Sequence, residues 1–258
     1  MEQVLVIFKR ELKVKASYRL TAVVTVISAL SGLFSYAFLG NGAVVSTTTT
    51  TYGMSLAAFL VSGVAFGSIV SSGVSMFTEY AGPSQIEEVM VSPTDFRLFI
   101  LSSSLLSLLI GLAITGIMFL SGVMLFNLIY SYNLSLLVAM VMLGIFSSIG
   151  LGLIGLGFQI VYKQTYFLSW LLYSFTGLVG NMIVPVQILP GVLQSLAYVT
   201  PQYYFFTGIR VALGSNVATA TSLLVTFTGY TLILLLIGFA SLNWALRSVR
   251  QNGTHAWS

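Results

Sequence analysis

Six apolar runs dominate the pattern of the chain, and short polar or proline-containing segments separate them. The runs fall at about 20–39, 54–78, 98–126, 134–161, 165–183 and 222–246. Each is close to or above the roughly 20 residues that cross a ~30 Å hydrocarbon core as a helix. A transmembrane barrel would instead show segments of about 10 residues with alternating polarity, and we find no such pattern. The pattern predicts an all-α polytopic membrane protein with six transmembrane helices.

The basic residues predict the orientation of these spans. With a cytosolic N-terminus, nine of the ten lie on the cytosolic side and Arg210 lies outside. This distribution follows the positive-inside rule, and an odd number of spans would put Arg247 and Arg250 on the wrong side. The first run is longer than the hydrophobic region of a signal peptide and lacks a small-residue cleavage site, so we interpret it as a retained span. We expect a multi-pass protein of the cell membrane with both termini in the cytosol.

Residues 2–19, before the first span, predict an amphipathic helix. One broad face is apolar, and Lys9, Arg10 and Lys13 lie opposite it. Such a helix lies in the membrane interface with its cations toward anionic headgroups. A solvated basic leader is the alternative. After the first span, residues 41–52 contain an uncharged Ser/Thr run, which we expect to be a flexible external loop.

The cytosolic loop at 79–97, between spans two and three, predicts a short helix. Ser-Gln-Ile-Glu at 84–87 forms a capping box. The residues that follow the i, i+3, i+4 spacing of an apolar face are Ile86, Val89 and Met90. Pro93 ends the helix near Ser92 because a residue before proline avoids the α conformation. The loop carries four carboxylates and a single cation, Arg97, so we expect it to dock a basic partner.

Residues 184–221, between spans five and six, are apolar but are interrupted by Pro185, Pro190 and Pro201. None of the resulting pieces is long enough to span a membrane. We predict two short external helices that begin at Pro190 and Pro201, the second behind a Thr200 cap. Arg210 belongs to the second helix. We expect this segment to dip into or lie on the outer leaflet as a re-entrant element, covered by protein or facing a watery cavity.

The composition excludes most other classes of protein. Of 258 residues, 57% are hydrophobic and 6% are charged, whereas a soluble domain carries roughly 25% charged residues. Soluble enzymes and nucleic-acid binders are therefore excluded, and we expect no nucleic-acid partner. The chain has no cysteine and one histidine, His255, which leaves no metal site, Ser-His dyad or thiolate nucleophile. It also lacks a P-loop, and no charged residue lies well inside a span, so neither ATP binding nor ion coupling is indicated.

Small residues recur at four-residue spacing in spans two and four, which favours close helix packing. They are Gly63, Gly67, Ser71 and Ser75 in span two, and Gly144, Ser148 and Gly152 in span four. A substrate-facing role is the alternative. The spans are weakly polar, with amides at Gln159 and Asn181, and this indicates an amphipathic or lipid-linked cargo.

The order of these parts resembles that of the type-2 ABC exporter permeases. Glu79, followed by Gln85-Ile86-Glu87-Glu88-Val89-Met90-Val91-Ser92-Pro93, is similar to the acidic residue, short helix and Ser-Pro of that family. The prolines and tyrosines of Val184-Pro185-Val186-Gln187-Ile188-Leu189-Pro190 and Thr200-Pro201-Gln202-Tyr203-Tyr204, with Ile209-Arg210, resemble its second block. The resemblance covers essentially the whole chain, so we expect a single transmembrane domain over 1–258.

The resemblance implies a permease subunit of an ATP-driven exporter, without its own ATP site or cofactor. Two copies, or this chain and a homologue, would pair around a central path, with ATP and Mg²⁺ bound by separate ABC ATPase subunits. The implied ATPase-coupling residues are Glu79, Ser84, Ile86, Glu87, Glu88, Val89, Met90 and Pro93. Drugs, lipids and lipid-linked glycans remain open as cargo. An ATPase-independent channel or scaffold is the alternative function, and an intramembrane enzyme lacks catalytic groups.

Overall fold

The computed structural model describes residues 2–42, 46–78, 96–162 and 167–252, and these form ten α-helices and one 3-10 turn without a strand. The helices are α1 (Glu2–Ser17), α2 (Arg19–Gly42), α3 (Ser46–Tyr52), α4 (Leu56–Thr78), α5 (Phe96–Phe126), α6 (Leu134–Tyr162), α7 (Phe167–Val179), α8 (Gly191–Val199), α9 (Pro201–Ala212) and α10 (Ala220–Asn252). The 3-10 turn is Val186–Ile188 and lies between α7 and α8.

Within the described ranges, five helices have the length and apolar character needed to cross a membrane: α2, α4, α5, α6 and α10. They match five of the six predicted spans, and the all-α, polytopic membrane class is confirmed. The remaining predicted span, 165–183, corresponds to α7. This helix has 13 residues and is about 20 Å long, and residues 163–166 before it lie outside the described ranges.

Helix α4 occupies the centre of the bundle. Its most apolar stretch is 78% buried, against 11% for the corresponding stretch of α2. Small residues permit this position, because a Cβ on Gly73 would collide with Ser148 of α6. Where α2 crosses the start of α4, a Cβ on Gly40 would lie only 2.7 Å from the Cα of Ala57. Helix α4 therefore contacts its neighbours backbone to backbone, as close packing of spans requires.

Helices α6 and α10 form the other close pair. A Cβ on Gly238 would lie 2.7 Å from the carbonyl oxygen of Gly150, and one on Gly157 would collide with Ser241. Leucine side chains of both helices, among them Leu153 and Leu242, share one apolar cluster. The glycines of this contact are not those of the predicted four-residue stripe. Gly150 and Gly157 face α10, whereas Gly144 and Ser148 of the stripe face α9 and α4. Helix α6 therefore carries small residues on more than one face.

Hydrogen bonds from the loop before α6 to helices α4 and α9 bring distant segments together at one end of the bundle. The Tyr130 hydroxyl donates to the carbonyl of Ala58 at 2.9 Å, and the Asn133 N–H donates to the carbonyl of Ala212 at 2.8 Å. Tyr52 lies at the same end. We call this the tyrosine end. At the opposite end, which we call the basic end, α1 packs on the first half of α5.

Residues 46–52 correct one expectation from the sequence. They form helix α3, although the Ser/Thr run predicted a flexible loop. The side chains of Thr48 and Tyr52 are buried, and the Tyr52 ring packs edge-on against Phe59, with centroids 5.1 Å apart. Serine and threonine have weak helix propensity, but the burial of Tyr52 against Phe59 stabilises the helix that ends at Tyr52. Residues 43–45 lie outside the described ranges.

The proline-interrupted segment contains two short helices, α8 and α9, where the prolines predict them. Thr200 is the residue before α9, but its side chain makes no capping bond to that helix. Its hydroxyl instead donates to the carbonyl of Ala197 in α8, at 2.7 Å. Pro201 is the first residue of α9, where the missing N–H costs nothing. The predicted short helix at 84–91 lies outside the described ranges.

Candidate functional site

Arg210, the one basic residue predicted on the external side, is fully buried in the structure. The end of α9 fixes its backbone through a Schellman motif. Gly214 adopts a φ of +106°, a conformation that favours glycine. Its N–H donates to the carbonyl of Val211 at 3.1 Å, and the Ser215 N–H donates to the carbonyl of Arg210 itself at 2.9 Å. The motif ends α9 immediately after the arginine.

Three backbone carbonyls hold the guanidinium. Nη1 donates to Asn181, and Nη2 donates to Met182 at 2.9 Å and to Phe59 at 3.1 Å. The guanidinium carbon lies 3.4 Å from the centroid of the Phe59 ring, a close cation–π contact. Burial lowers the pKa of Arg210 to about 9, with Tyr52 and Tyr130 acting in the opposite direction. The side chain therefore stays protonated at neutral pH.

Asn181 places two of those carbonyls. Helix α7 ends just before it, where the Gly180 N–H donates to the carbonyl of Thr176 at 3.0 Å. Asn181 then adopts a φ of +61°, the left-handed conformation that asparagine tolerates better than most residues. The chain turns sharply there, which aims the carbonyls of residues 181 and 182 at the guanidinium.

The side chain of Asn181 extends the same network. Its Oδ1 accepts from the Tyr52 hydroxyl at 3.1 Å and from the Val186 N–H at 3.4 Å. Its Nδ2 donates to the Thr207 hydroxyl of α9 at 3.0 Å. The Tyr52 hydroxyl is also 3.1 Å from Gln187 Oε1. We call this set the Arg210 network: Tyr52, Phe59, Asn181, Met182, Thr207 and Arg210.

The predicted small-residue stripes make room for this network. A Cβ on Gly63 would collide with the Met182 carbonyl and lie 3.0 Å from Arg210 Nη2. A Cβ on Gly67 would collide with the Met182 side chain, and one on Gly144 would collide with the ring of Phe205 in α9. The residues of both stripes nearest the tyrosine end, Gly63, Gly67 and Gly144, therefore pack against α9 and the segment before α8.

The other predicted residues of the stripes and of the proline segment lie as follows. Ser71 and Ser75 bond back to carbonyls of their own helix. Ser148 and Gly152 are buried within α6. Pro185 is buried before the 3-10 turn, whereas Pro190 is exposed before α8. Of the predicted external residues, the structure brings Arg210 into the network itself.

Both amide side chains noted in the sequence, Asn181 and Gln159, are buried. Asn181 directs its amide into buried contacts with Tyr52, Val186 and Thr207, and Gln159 is 2% exposed. Their burial does not test the amphipathic or lipid-linked cargo, which stays a prediction. Sequence reasoning also missed Tyr52 as a partner of Arg210. The available signal was a lone arginine in an apolar segment, since a charge buried there requires polar partners.

The described residues do not indicate a metal site. No cluster of histidine, aspartate and glutamate that could hold a metal occurs among those residues. The predicted ATPase-coupling residues from Glu79 to Pro93 lie outside the described ranges, between the end of α4 at Thr78 and the start of α5 at Phe96.

The sequence matches the family model for ABC-2 type transporters over residues 2–214. The chain belongs to the ABC-2 type transporter family. The match runs from the start of α1 to Gly214, the glycine that ends α9, and so includes every member of the Arg210 network. No curated protein matches the sequence. The ABC-2 protein is therefore a membrane-spanning permease subunit of an ABC transporter, and permeases of this family work with ABC ATPase subunits and generally lack an ATP site of their own.

Proposed function

We propose that this ABC-2 permease is one half of a dimeric, ATP-driven exporter of an amphipathic cargo, such as a lipid, a drug-like molecule or a lipid-linked glycan. The family match over residues 2–214 carries the proposal. The described spans support an external energy source, since ion-coupled transporters keep ionisable groups within the membrane. The apolar stretches of α4, α5 and α6, which are Leu56–Ser75, Ser104–Phe126 and Leu134–Tyr162, contain no Asp, Glu, Lys or Arg.

Six membrane crossings are part of the proposal. Asn133 lies at the tyrosine end, just before α6, and donates a hydrogen bond to Ala212 at the end of α9. The chain therefore lies at the tyrosine end both before α6 and at the end of α9. This supports a return crossing between the end of α6 and the start of α9, and α7 is the described helix available to make it. With its flanking residues, α7 covers the predicted fifth span at 165–183.

The proposed orientation puts the basic end in the cytosol of the cell and the tyrosine end outside. Five cations, Lys9 to Arg19, belong to α1 and the start of α2, and the positive-inside rule places them in the cytosol. Arg210 does not oppose this, because backbone carbonyls at the tyrosine end enclose it. Both termini are then cytosolic, and α8 and α9 form the external re-entrant element.

A pair of permeases fits the ATPase requirement. Two ATPase subunits related by a two-fold axis are matched by two membrane subunits with the same symmetry. The second subunit is another copy of this chain or a homologue. The transport path then lies between the two chains, which fits a single chain whose central helix, α4, is closely packed on several sides.

The coupling element in this proposal is the helix at 84–91. It joins α4, the most enclosed of the described spans, to α5. The apolar face of Ile86, Val89 and Met90 would fill a groove of the ATPase, while Glu87 and Glu88 would meet cations there. A short capped helix between two spans transmits a movement of the ATPase that a loose loop would absorb.

Charge reversal and charge insertion test this coupling. In proteoliposomes containing the permease and its ATPase, Glu88→Lys juxtaposes like charges and Val89→Asp puts a charge into the apolar contact, each at a cost of up to several kcal/mol. We expect normal insertion but loss of transport and of substrate-stimulated ATP hydrolysis. Glu11→Lys, a charge reversal on α1, is the matched control and should leave both activities unchanged. Full transport by both coupling variants would contradict the proposal.

A further inference from the structure

A cavity of about 510 Å³ opens at the basic end, between α1, α2, α4 and α5. It lies away from the Arg210 network and outside the predicted coupling loop. Its back wall is the contact between α4 and α5, where a Cβ on Gly111 would collide with the Ser72 hydroxyl. Helix α1 lies across α5 and forms the mouth.

The mouth of the cavity is polar and positively charged. Lys15 from α1 lines it, together with Tyr18 between α1 and α2 and Thr21 in the first turn of α2. Lys15 belongs to a run of five cations between residues 9 and 19, against one carboxylate, Glu11. An anionic group is therefore the charge that this mouth favours.

The wall beyond the mouth changes from polar to apolar along α5. Its lining residues are Ser107, Ile110, Ala113, Ile114 and Ile117. The four apolar residues follow the i, i+3, i+4, i+7 spacing of a single helix face. From Ser107 to Ile117 the face is about 15 Å long. Val26 of α2 lies opposite, so a hydrocarbon chain between α2 and α5 would contact apolar side chains on both sides.

Ser107 is a second, independent sign of a ligand. Its side chain is 7% exposed, yet its hydroxyl makes no hydrogen bond with any described residue. Buried hydroxyls are ordinarily paired. Ser107 is also three residues beyond the start of the apolar span at Ser104, or about 5 Å deeper along the helix. The ester carbonyls of a phospholipid lie just beneath its phosphate, at the start of the hydrocarbon region, and Ser107 likewise lies near the start of the apolar span.

We propose that this cavity binds an anionic phospholipid from the leaflet that contains α1. The phosphate lies at Lys15, and the Ser107 hydroxyl donates to a glycerol ester carbonyl. One acyl chain follows the apolar face of α5. The site does not depend on transport, because it uses residues of a single chain and none of the coupling or Arg210 residues. It would fix α1 against the bundle through a shared ligand.

Lipid retention by the purified full chain tests the charge at the mouth. The protein is equilibrated with detergent micelles containing equal amounts of phosphatidylglycerol and phosphatidylcholine, and bound lipid is counted by native mass spectrometry. We expect the wild type to retain phosphatidylglycerol in preference. Lys15→Gln should lower its retention about fivefold, the effect of one cation near a lipid phosphate. Lys13→Gln, an exposed lysine on α1 that does not line the cavity, should leave retention unchanged.

A second pair of variants tests whether an acyl chain lies along the apolar face of α5. Ala113→Phe fills the space beside α5 and should abolish retention of both lipids. Leu236→Phe adds bulk on α10, which does not line the cavity and where Leu236 is 71% exposed, and it should have no effect. Equal retention of the two lipids by the wild type, equal effects of the two lysine variants, or wild-type retention by Ala113→Phe would each overturn the site. The lysine pair decides the matter alone if Ala113→Phe fails to insert.

Discussion

At the scale of single residues, the buried charge of Arg210 demands the most explanation. An isolated charge in an apolar interior costs far more than a folded domain can supply. Here three carbonyls and the Phe59 ring surround the guanidinium. Hydrogen bonds to charged groups contribute roughly 1.5–3 kcal/mol each, and a desolvated cation–π contact contributes about 2 kcal/mol. Arg210 thereby joins α4, the end of α7 and α9 at one point.

The first prediction concerns the stability of that junction. Arg210→Ala removes the donor of the Asn181 and Met182 carbonyls, at roughly 1–3 kcal/mol for each buried group, whereas the Phe59 carbonyl still accepts from the Ser62 hydroxyl. We expect a clear fall in the free energy of unfolding, measured as a lower Tm of the purified protein in detergent. The Tm of Arg210→Lys should lie between those of the wild type and of Arg210→Ala. An ammonium group keeps the charge but cannot reproduce the planar, forked hydrogen bonding of a guanidinium.

Arg247→Gln is the matched control, since Arg247 is exposed near the end of α10. It should melt like the wild type. A wild-type Tm for Arg210→Ala would contradict the prediction that Arg210 stabilises the contact between α4, the end of α7 and α9.

Sequence reasoning singled out Arg210 but did not find its partners. Tyr52, Asn181 and Phe59 are far from it along the chain; Phe59 is 151 residues away. Composition and periodicity report neighbours within one helix, and they carry no information on contacts of that separation. Gly63 was found by its four-residue spacing, yet its role in admitting the Met182 carbonyl depends on the turn at Asn181. That turn is a backbone conformation that no residue pattern specified.

At the scale of elements, the long helices were predictable and the short ones were less so. The apolar length of α4, α5, α6 and α10 identifies them as spans without further information. Helix α3 was missed because a Ser/Thr run has weak helix propensity and its burial depends on tertiary contacts of Tyr52. Helix α7 lies between these cases, because its 13 residues are too few to cross the hydrocarbon core alone.

Accessibility labelling tests whether the chain crosses the membrane at α7. The chain has no cysteine, so single cysteines can be introduced without background. Asn216, which is exposed after α9, should label from outside the cell when replaced by cysteine. Ser131→Cys, in the exposed loop before α6, is the external reference, and Ser17→Cys is the internal one. Labelling of Asn216→Cys only after permeabilisation would mean five crossings.

The choice of positions follows from the structure. Thr48 lies in the outer Ser/Thr run, but its side chain is 0% exposed, so failure to label there would not report on topology. Thr50 is exposed on the same helix and is the suitable site in α3. The same accessibility argument favours Asn216 over the buried Ser215 beside it.

At the scale of the whole molecule, the chain is organised between two ends with different tasks. At the tyrosine end, the Arg210 network fixes α9 on α4 and on the end of α7, and we propose that this end faces outward. The proposed lipid cavity lies at the basic end, and the proposed coupling loop joins α4 to α5, two of the helices that line that cavity. This arrangement fits the proposed exporter half, in which movement of the ATPase at the basic end would change the transport path while the Arg210 network holds the tyrosine end.

The most direct test of the whole account is the composition of the complex that contains this chain. The tagged chain is purified from its native membranes in mild detergent, and the mass and ATP hydrolysis of the complex are measured. We expect two permease chains, either two copies or this chain with a homologue, together with two ABC ATPase subunits and ATP hydrolysis that the cargo stimulates. A transport-active preparation that contains a single permease chain, or none of the ATPase, would contradict the account.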